Sequence, residues 1–559
     1  MRLLIIVLAV LIKSTPAPRI TATGNQLILD GASSTPYELR AVYYSPTPWG
    51  LDDALYYQQQ PAYDAEYTSS FERDLDLISA MGANAVRLHG FMGVAEGGNT
   101  PDQRRHQAFL DAAAARNIGV LLTYELLGSG PNAKRLVTPT ELAAAVADLR
   151  FFVRAARHPA VTMLVLGDSL NRIDAGYVCF DSGTAALGCQ FSEDIDSFAD
   201  GAYRLPSRIS LFRELTFFFC GVACCSLLCT ALEALCAVAK TDGDMACTVP
   251  MANIPLPPGE QTRRYGTNPS RGVVDWFEAL APRMPSVDLL AADLTARNVT
   301  ASQPSLEVDW EALSTLSPAK PFIVSSYGVD AYNSTEWFAL AGAQYDATYP
   351  HLSLTTASGT DGAYVLSASG DVPQAEDEAS QASWLTSLAT DLSSHFVSVG
   401  GSLALASGGI IRSFRDEWWR GAYPADQTWY GGYASFCSTD PTCAAMLQLC
   451  PPTVTPDPRN QSTCGAPFNN VQPDGYVNEE WFGLVANLPS CECGRSYGAN
   501  VSACTVSSYT PRPRLAFYQL QSLWTSNNAT AAAYVRDVLL APPADSAVDD
   551  PNNCSTYTP

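Results

Sequence analysis

The sequence predicts an α/β protein built as a (β/α)8 barrel, and three observations carry that prediction. Short apolar runs alternate with longer stretches of amphipathic, helical periodicity along most of the chain, the pattern of repeated βα units. Eight of those apolar runs open into polar tips, as barrel strands do at their C-terminal face. The chain has 559 residues, 47% hydrophobic and 16% charged, which suits one large core carrying insertions and excludes a disordered polypeptide.

Residues 20–39 read as a hairpin turning at Thr23-Gly24-Asn25 and Asp30-Gly31, placed to floor the barrel. Strand one is 40–44, running into Ser45-Pro46. A helix over 71–81 follows, with Leu75, Leu77, Ile78 and Met81 on one face. Strand two is 85–88, ending at His89; a helix over 107–116 leads to strand three, 119–124, ending at Glu125. Thr138-Pro139-Thr140-Glu141 starts the next helix, with proline at a tolerated first-turn position. Strand four follows Arg157-His158-Pro159 and opens into Gly167-Asp168-Ser169-Leu170-Asn171. Strand five fits 247–253 and strand six 287–293, ending at Asp293. Strand seven begins Phe322-Ile323-Val324 and opens into Ser325-Ser326-Tyr327-Gly328. Strand eight is 409–414, running into Arg415-Asp416-Glu417-Trp418-Trp419, and a helix over 513–524 closes the ring. The barrel domain spans 40–540, with one insertion at 176–245, a Cys-rich insertion at 426–510 between strand eight and the last helix, and a tail at 541–559.

Residues 1–17 have the form of a secretory signal peptide: Arg2, an apolar core over 3–12, then Ser14-Thr15-Pro16-Ala17. Asn298, Asn333, Asn460, Asn500, Asn528 and Asn553 each begin an N-glycosylation triplet. Sixteen cysteines in an exported chain imply disulfides. Cys179 and Cys189 bracket one short loop, and a cluster runs from Cys437 to Cys504 with Cys554 at the tail. Cys491-x-Cys493 lacks the histidine-bearing pattern of a zinc site, so disulfides are expected there, and no metal or cofactor is expected anywhere. Residues 215–232 carry no charge, and hydropathy alone reads a membrane helix. A span there would put all six glycosylation triplets on the cytosolic side, so a buried helix following strand four is expected and no stable membrane span. The net charge of −23 argues against nucleic acid and anionic membrane partners and leaves a neutral polysaccharide or oligosaccharide unaffected.

The strand-four and strand-seven tips resemble the signatures of retaining glycoside hydrolases with a (β/α)8 barrel, the β-galactosidase, cellulase and β-glucanosyltransferase relatives. In that clan the first motif ends Gly-Asn-Glu and supplies the acid/base; the second ends Glu-Tyr-Gly and supplies the nucleophile. Here both glutamate positions are serine, Ser169 and Ser326, and Asp168 replaces the asparagine. Asn84-Ala85-Val86-Arg87 looks like the clan's second-strand arginine. Asp416-Glu417-Trp418-Trp419, 478–483 and Gln381-Ala382 are similar to further clan strings.

Retaining hydrolysis needs a carboxylate to attack the anomeric carbon and a carboxylic acid to protonate the leaving oxygen, about 5 Å apart. A serine hydroxyl does neither: it stays protonated near neutrality and is too weak an acid. General acid/base help alone is worth about 10²–10⁴ in rate. The resemblance therefore implies a secreted, catalytically degenerate barrel that binds β-linked glycans. Arg87, His89, Glu125, Asp168, Tyr44, Tyr327, Glu417, Trp418 and Trp419 are the expected substrate contacts, the aromatics offering flat faces to sugar C–H groups. One alternative is an active glycosidase or transglycosidase with relocated carboxylates, Glu125 and Glu417 first, with Asp293 also at a strand end; an inverting pair needs about 6.5–9.5 Å. A second is a structural or interaction scaffold. A serine hydrolase is disfavoured, since no Gly-x-Ser-x-Gly elbow surrounds either serine.

Overall fold

The computed structural model describes residues 20–29, 36–45, 68–88, 106–124, 126, 139–167, 227–253, 271–294, 304–317, 319–331, 377–416, 482–489 and 509–525. Among them, an antiparallel hairpin of β1 (Ile20–Thr23) and β2 (Gln26–Leu29) comes first. Eight parallel strands then close into a barrel: β3 (Leu39–Tyr44), β4 (Ala85–Leu88), β5 (Gly119–Tyr124), β6 (Val161–Leu166), β7 (Ala246–Ala252), β8 (Leu289–Asp293), β9 (Phe322–Tyr327) and β10 (Ala406–Ile411), with β10 pairing back onto β3. Helices lie between them: α1 (Thr68–Met81), α2 (Gln107–Ala115), α3 (Pro139–Ala155), α4 (Leu227–Val238), α5 (Val273–Leu280), α6 (Trp310–Ser314) and α7 (Glu378–Ser394). A hairpin of β11 (Val485–Pro489) and β12 (Tyr509–Pro513) and the closing helix α8 (Leu515–Trp524) follow. This is the (β/α)8 barrel that the alternation predicts.

Two concentric cores follow from the period-2 geometry of strands, whose successive side chains point to opposite faces. The inner one gathers Leu39, Ala41, Tyr43, Ala85, Leu121, Met163, Val165, Leu289, Ala291, Ile323 and Ile410, with Ile20 and Leu27 of the first hairpin packed beneath. The intervening strand residues, such as Val42, Val86, Leu122, Leu164 and Val324, join the helices in the outer core. On α1 the expected face Leu75, Leu77, Ile78 and Met81 is fully buried there.

Strand eight begins earlier than its apolar run suggests, at Ala406 rather than 409, and ends at Ile411. Gly408 explains the difference: at φ +134° its position would put a Cβ 2.1 Å from the Leu39 carbonyl oxygen, so glycine alone lets β10 close on β3. Glycines carry no strand signal in the sequence. Of the expected apolar helix at 215–232, the described part is α4, which runs on to Val238 with Leu232 and Leu235 buried in the outer core. No described helix is long and apolar enough to cross a membrane. Among the described residues, the disulfide Cys236–Cys247 ties the end of α4 to β7 with its Cα atoms 5.5 Å apart. It joins two cysteines outside the expected clusters, whose members lie outside the described residues, as do the six glycosylation triplets.

A buried ion pair locks the closing segment to the barrel. Arg514, immediately before α8, reaches Asp416 just past strand eight through Nη1 at 2.6 Å and Nη2 at 2.8 Å, and both side chains are fully buried. Asp416 Oδ1 also accepts from the Gly483 amide. Asp416→Ala strands a buried guanidinium, so unfolding free energy should fall by about 3–5 kcal/mol in urea titration. A loss below about 1 kcal/mol, the range of exposed pairs, would contradict this account.

Candidate functional site

Arg87 organises the C-terminal half of the barrel interior. On β4, Ala85 belongs to the inner core and Val86 and Leu88 to the outer one, so alternation sends the Arg87 side chain inward. It is fully buried. Its guanidinium donates from Nε to Thr123 Oγ1 (3.1 Å), from Nη1 to the Ser325 carbonyl (2.9 Å) and from Nη2 to the Gly167 carbonyl (3.4 Å). The group also lies 4.5 Å from the centroid of the Tyr43 ring, a cation–π contact with another inward side chain. Gly167, at φ +65°, is the residue after strand four, two positions before Ser169; Ser325 directly precedes Ser326. One guanidinium therefore holds the ends of strands four and seven together, at the same end of the barrel.

The end of β9 carries a β-bulge. Its register with β8 shifts between Ala292 and Asp293, so that Val324 pairs with Ala292 but Ser326 with Asp293. Against β10, Val324 pairs with Gly409 and Tyr327 with Ile411. Val324 and Tyr327 both lie in the outer core although three positions separate them, so the extra residue puts Ser325 and Ser326 together on the inner side. Ser326 shares that face with its register partner Asp293, which follows the inward Leu289 and Ala291 and is buried. The Ser326 carbonyl accepts from the Leu294 amide at 2.7 Å, continuing the ladder. Ser325 is fully buried and its Oγ has no hydrogen-bond partner. A buried hydroxyl left in that state costs about 1–3 kcal/mol.

Tyr44 and Tyr327, expected as sugar contacts, take other places. Tyr44 follows the inward Tyr43, so it points into the outer core, stacked on Phe109 at 5.9 Å, with its hydroxyl donating to Asp74 Oδ2 at 2.8 Å. Asp74 in turn pairs with Arg415 Nε at 2.9 Å. Burial pushes the Asp74 carboxyl above its ordinary range, against the pull of Arg415 and Arg73 and the Tyr44 hydrogen bond. Tyr327 faces outward because the bulge reverses the alternation before it. The structure thus brings together Arg87, Ser326, Tyr43 and the expected strand-end carboxylate Asp293, adds Thr123 and Ser325, and sets Tyr44 and Tyr327 apart. His89, Glu125, Asp168, Ser169, Glu417, Trp418 and Trp419 lie outside the described residues. Thr123 and Ser325 escaped the sequence reading. The signal available for Ser325 was its position beside Ser326, which implies the interior only once the bulge is known. Among the described residues, no group of three or more His, Cys, Asp and Glu side chains is placed to hold a metal ion.

The fold defines the chain as a (β/α)8-barrel protein. No family model and no curated protein matches the sequence. Among solved structures it is similar to a GH2 β-galacturonidase from Eisenbergiella tayi, with 12% identity and TM-score 0.39, over 91% of this chain and 54% of that one. A β-glucuronidase from Parabacteroides merdae shows 12% identity and TM-score 0.41, over 91% and 39%. One from Ruminococcus gnavus shows 10% and 0.38, over 91% and 52%. The chain thus spans about half of these proteins or less.

Lysine cannot reproduce the fork by which Arg87 bridges three strands. Arg87→Lys should lower stability by at least about 1.5 kcal/mol, the worth of one charge-assisted bond. Amide hydrogen exchange should speed up at Gly167 and Leu294, which report the ends of strands four and seven, and stay unchanged on α4. Equal protection in both proteins would show that Arg87 does not hold these ends.

Proposed function

We propose that the protein is a secreted, glycosylated, glycoside-hydrolase-like barrel whose mouth binds β-linked glycan chains without cleaving them. The observation that carries this reading is the Arg87 bridge. It gathers the strand-four and strand-seven ends, the two places where the resemblance puts an acid/base and a nucleophile, and both places read serine. With hydroxyls at both of those sequence positions, the mouth keeps donors and acceptors for sugar hydroxyls but lacks the two carboxylates that break a glycosidic bond. Export is supported by the form of residues 1–17, by the six glycosylation triplets and by the Cys236–Cys247 disulfide, a bond that persists in oxidising compartments.

A second reading, turnover by relocated carboxylates, is favoured by one observation: Asp293 faces inward as the register partner of Ser326. It would place a carboxylate one strand away from the usual nucleophile position.

Calorimetry of the purified protein against β-glucan, β-mannan and β-galactan oligosaccharides should detect binding to at least one, with no release from activated aryl β-glycosides. The triple variant Asp168→Asn, Ser169→Glu, Ser326→Glu should show measurable release where the parent shows none. Absence of binding to every glycan would overturn the proposal. Aryl glycoside turnover by the parent that Asp293→Asn abolishes would establish the second reading in its place.

A further inference from the structure

Three exposed arginines, Arg150, Arg154 and Arg157, stand on one face of α3 and the turn that ends it. Their i, i+4 and i+7 spacing sets them in a row along about 10 Å of surface. They converge on one residue, Asp242, in the turn Ala239–Gly243 between α4 and β7. Arg154 donates to its Oδ1 from Nη2 and, at 3.0 Å, from Nε, and Arg150 Nε lies 3.4 Å from its Oδ2. Arg157 donates from Nε (3.0 Å) and Nη2 (2.6 Å) to the Asp242 main-chain carbonyl. The Cys236–Cys247 disulfide closes the loop that carries Asp242, so the row sits on a fixed frame.

One arginine suffices to fasten that turn. Among the described residues the three share a single carboxylate, which leaves two guanidinium charges over. Neighbouring cations have partners of their own: Lys240 pairs with Asp288 at 2.9 Å, and His158 with Asp111 at 3.1 Å. The surplus is local, in a chain with 33 Lys and Arg against 56 Asp and Glu. Asp242 shows what these guanidinium forks hold, a carboxylate on Arg150 and Arg154 and a peptide carbonyl on Arg157. The row is as long as about three residues of extended chain. An acidic segment laid along it can set one carboxylate on Arg150 and another on Arg157. A long polyanion meets the repulsion of the −23 net charge over its whole length. A short segment meets mainly the local charge, because salt screens beyond about 8 Å.

We propose that the Arg150–Arg154–Arg157 row is a docking surface for an extended acidic peptide segment of a partner protein. The row lies toward the starts of strands four and five, away from the mouth, and the proposal does not depend on the glycan-binding reading.

The test is calorimetry of the full chain with a synthetic oligo-aspartate peptide at low salt, with oligo-asparagine and dextran sulfate as comparison probes. Oligo-aspartate should bind, oligo-asparagine should not, and binding should weaken as salt is raised. The double variant Arg150→Gln, Arg157→Gln keeps the Arg154–Asp242 pair, so its melting temperature should hold while affinity for oligo-aspartate falls about tenfold. The pair Arg150→Lys, Arg157→Lys, which keeps the charge without the fork, should bind between the two. Absence of oligo-aspartate binding overturns the proposal, as does equal affinity in the glutamine variant. A glutamine variant that fails to fold or melts well below the parent also overturns it, since the row then serves the fold itself. Arginine-dependent binding of dextran sulfate without oligo-aspartate binding would replace the peptide with a sulfated polysaccharide.

Discussion

A guanidinium inside a barrel must be satisfied from the barrel's own wall, and much of the site's geometry follows from how Arg87 meets that requirement. An unsolvated cation is costly unless hydrogen-bonded throughout. Thr123 supplies one side-chain acceptor and the Tyr43 ring a polarisable face, and two further acceptors are main-chain carbonyls at the ends of two distant strands. In a regular parallel ladder such carbonyls are engaged with the next strand. The bulge in β9 releases one of them: Ser326 O continues the ladder to Leu294 while Ser325 O turns to Arg87. Bulge and arginine are thus two halves of one arrangement, and it leaves two adjacent serines on the inner side.

The rest of the described structure keeps that arrangement in register. The first hairpin packs Ile20 and Leu27 under the inner core at the opposite end. The disulfide fastens β7 to α4. Beyond strand eight, the chain is stitched by the Ser413, Phe414 and Leu484 backbone bonds and by the buried Asp416–Arg514 pair, which draws α8 against the barrel. There the Arg40 guanidinium donates to the Trp524 carbonyl at 2.7 Å, closing the ring of helices on the first strand. Polar groups buried at this depth favour a single arrangement because every alternative leaves one unpaired.

Apolar runs and helical periodicity are local properties, and they located all eight barrel strands and the helices α1, α2 and α3, while α5, α6 and α7 went unread. The expected strand six, 287–293, includes the observed Leu289–Asp293, and the expected final helix contains α8. Displacements arose where local signal failed: at Gly408, whose role is a close approach to Leu39, and in the 215–232 stretch, where an uncharged run shows hydropathy but not the bounds of a helix packed on a barrel. At the barrel mouth, strand alternation gives the inward direction of Arg87, while the bonds it makes to the ends of strands four and seven appear only in the fold. Tyr44 and Tyr327 were misplaced because a strand-end aromatic looks the same in sequence whichever core it enters.

By itself, then, the sequence determined the barrel and the order of its strands. Each of these is written in adjacent residues. Only the tertiary structure decided which way Ser325, Ser326 and Tyr327 face and what Arg87 holds. The Arg87–Ser325 bond joins residues 238 positions apart, and the bulge exists only relative to the strands beside it. Register is a relation between strands, and no single strand contains it.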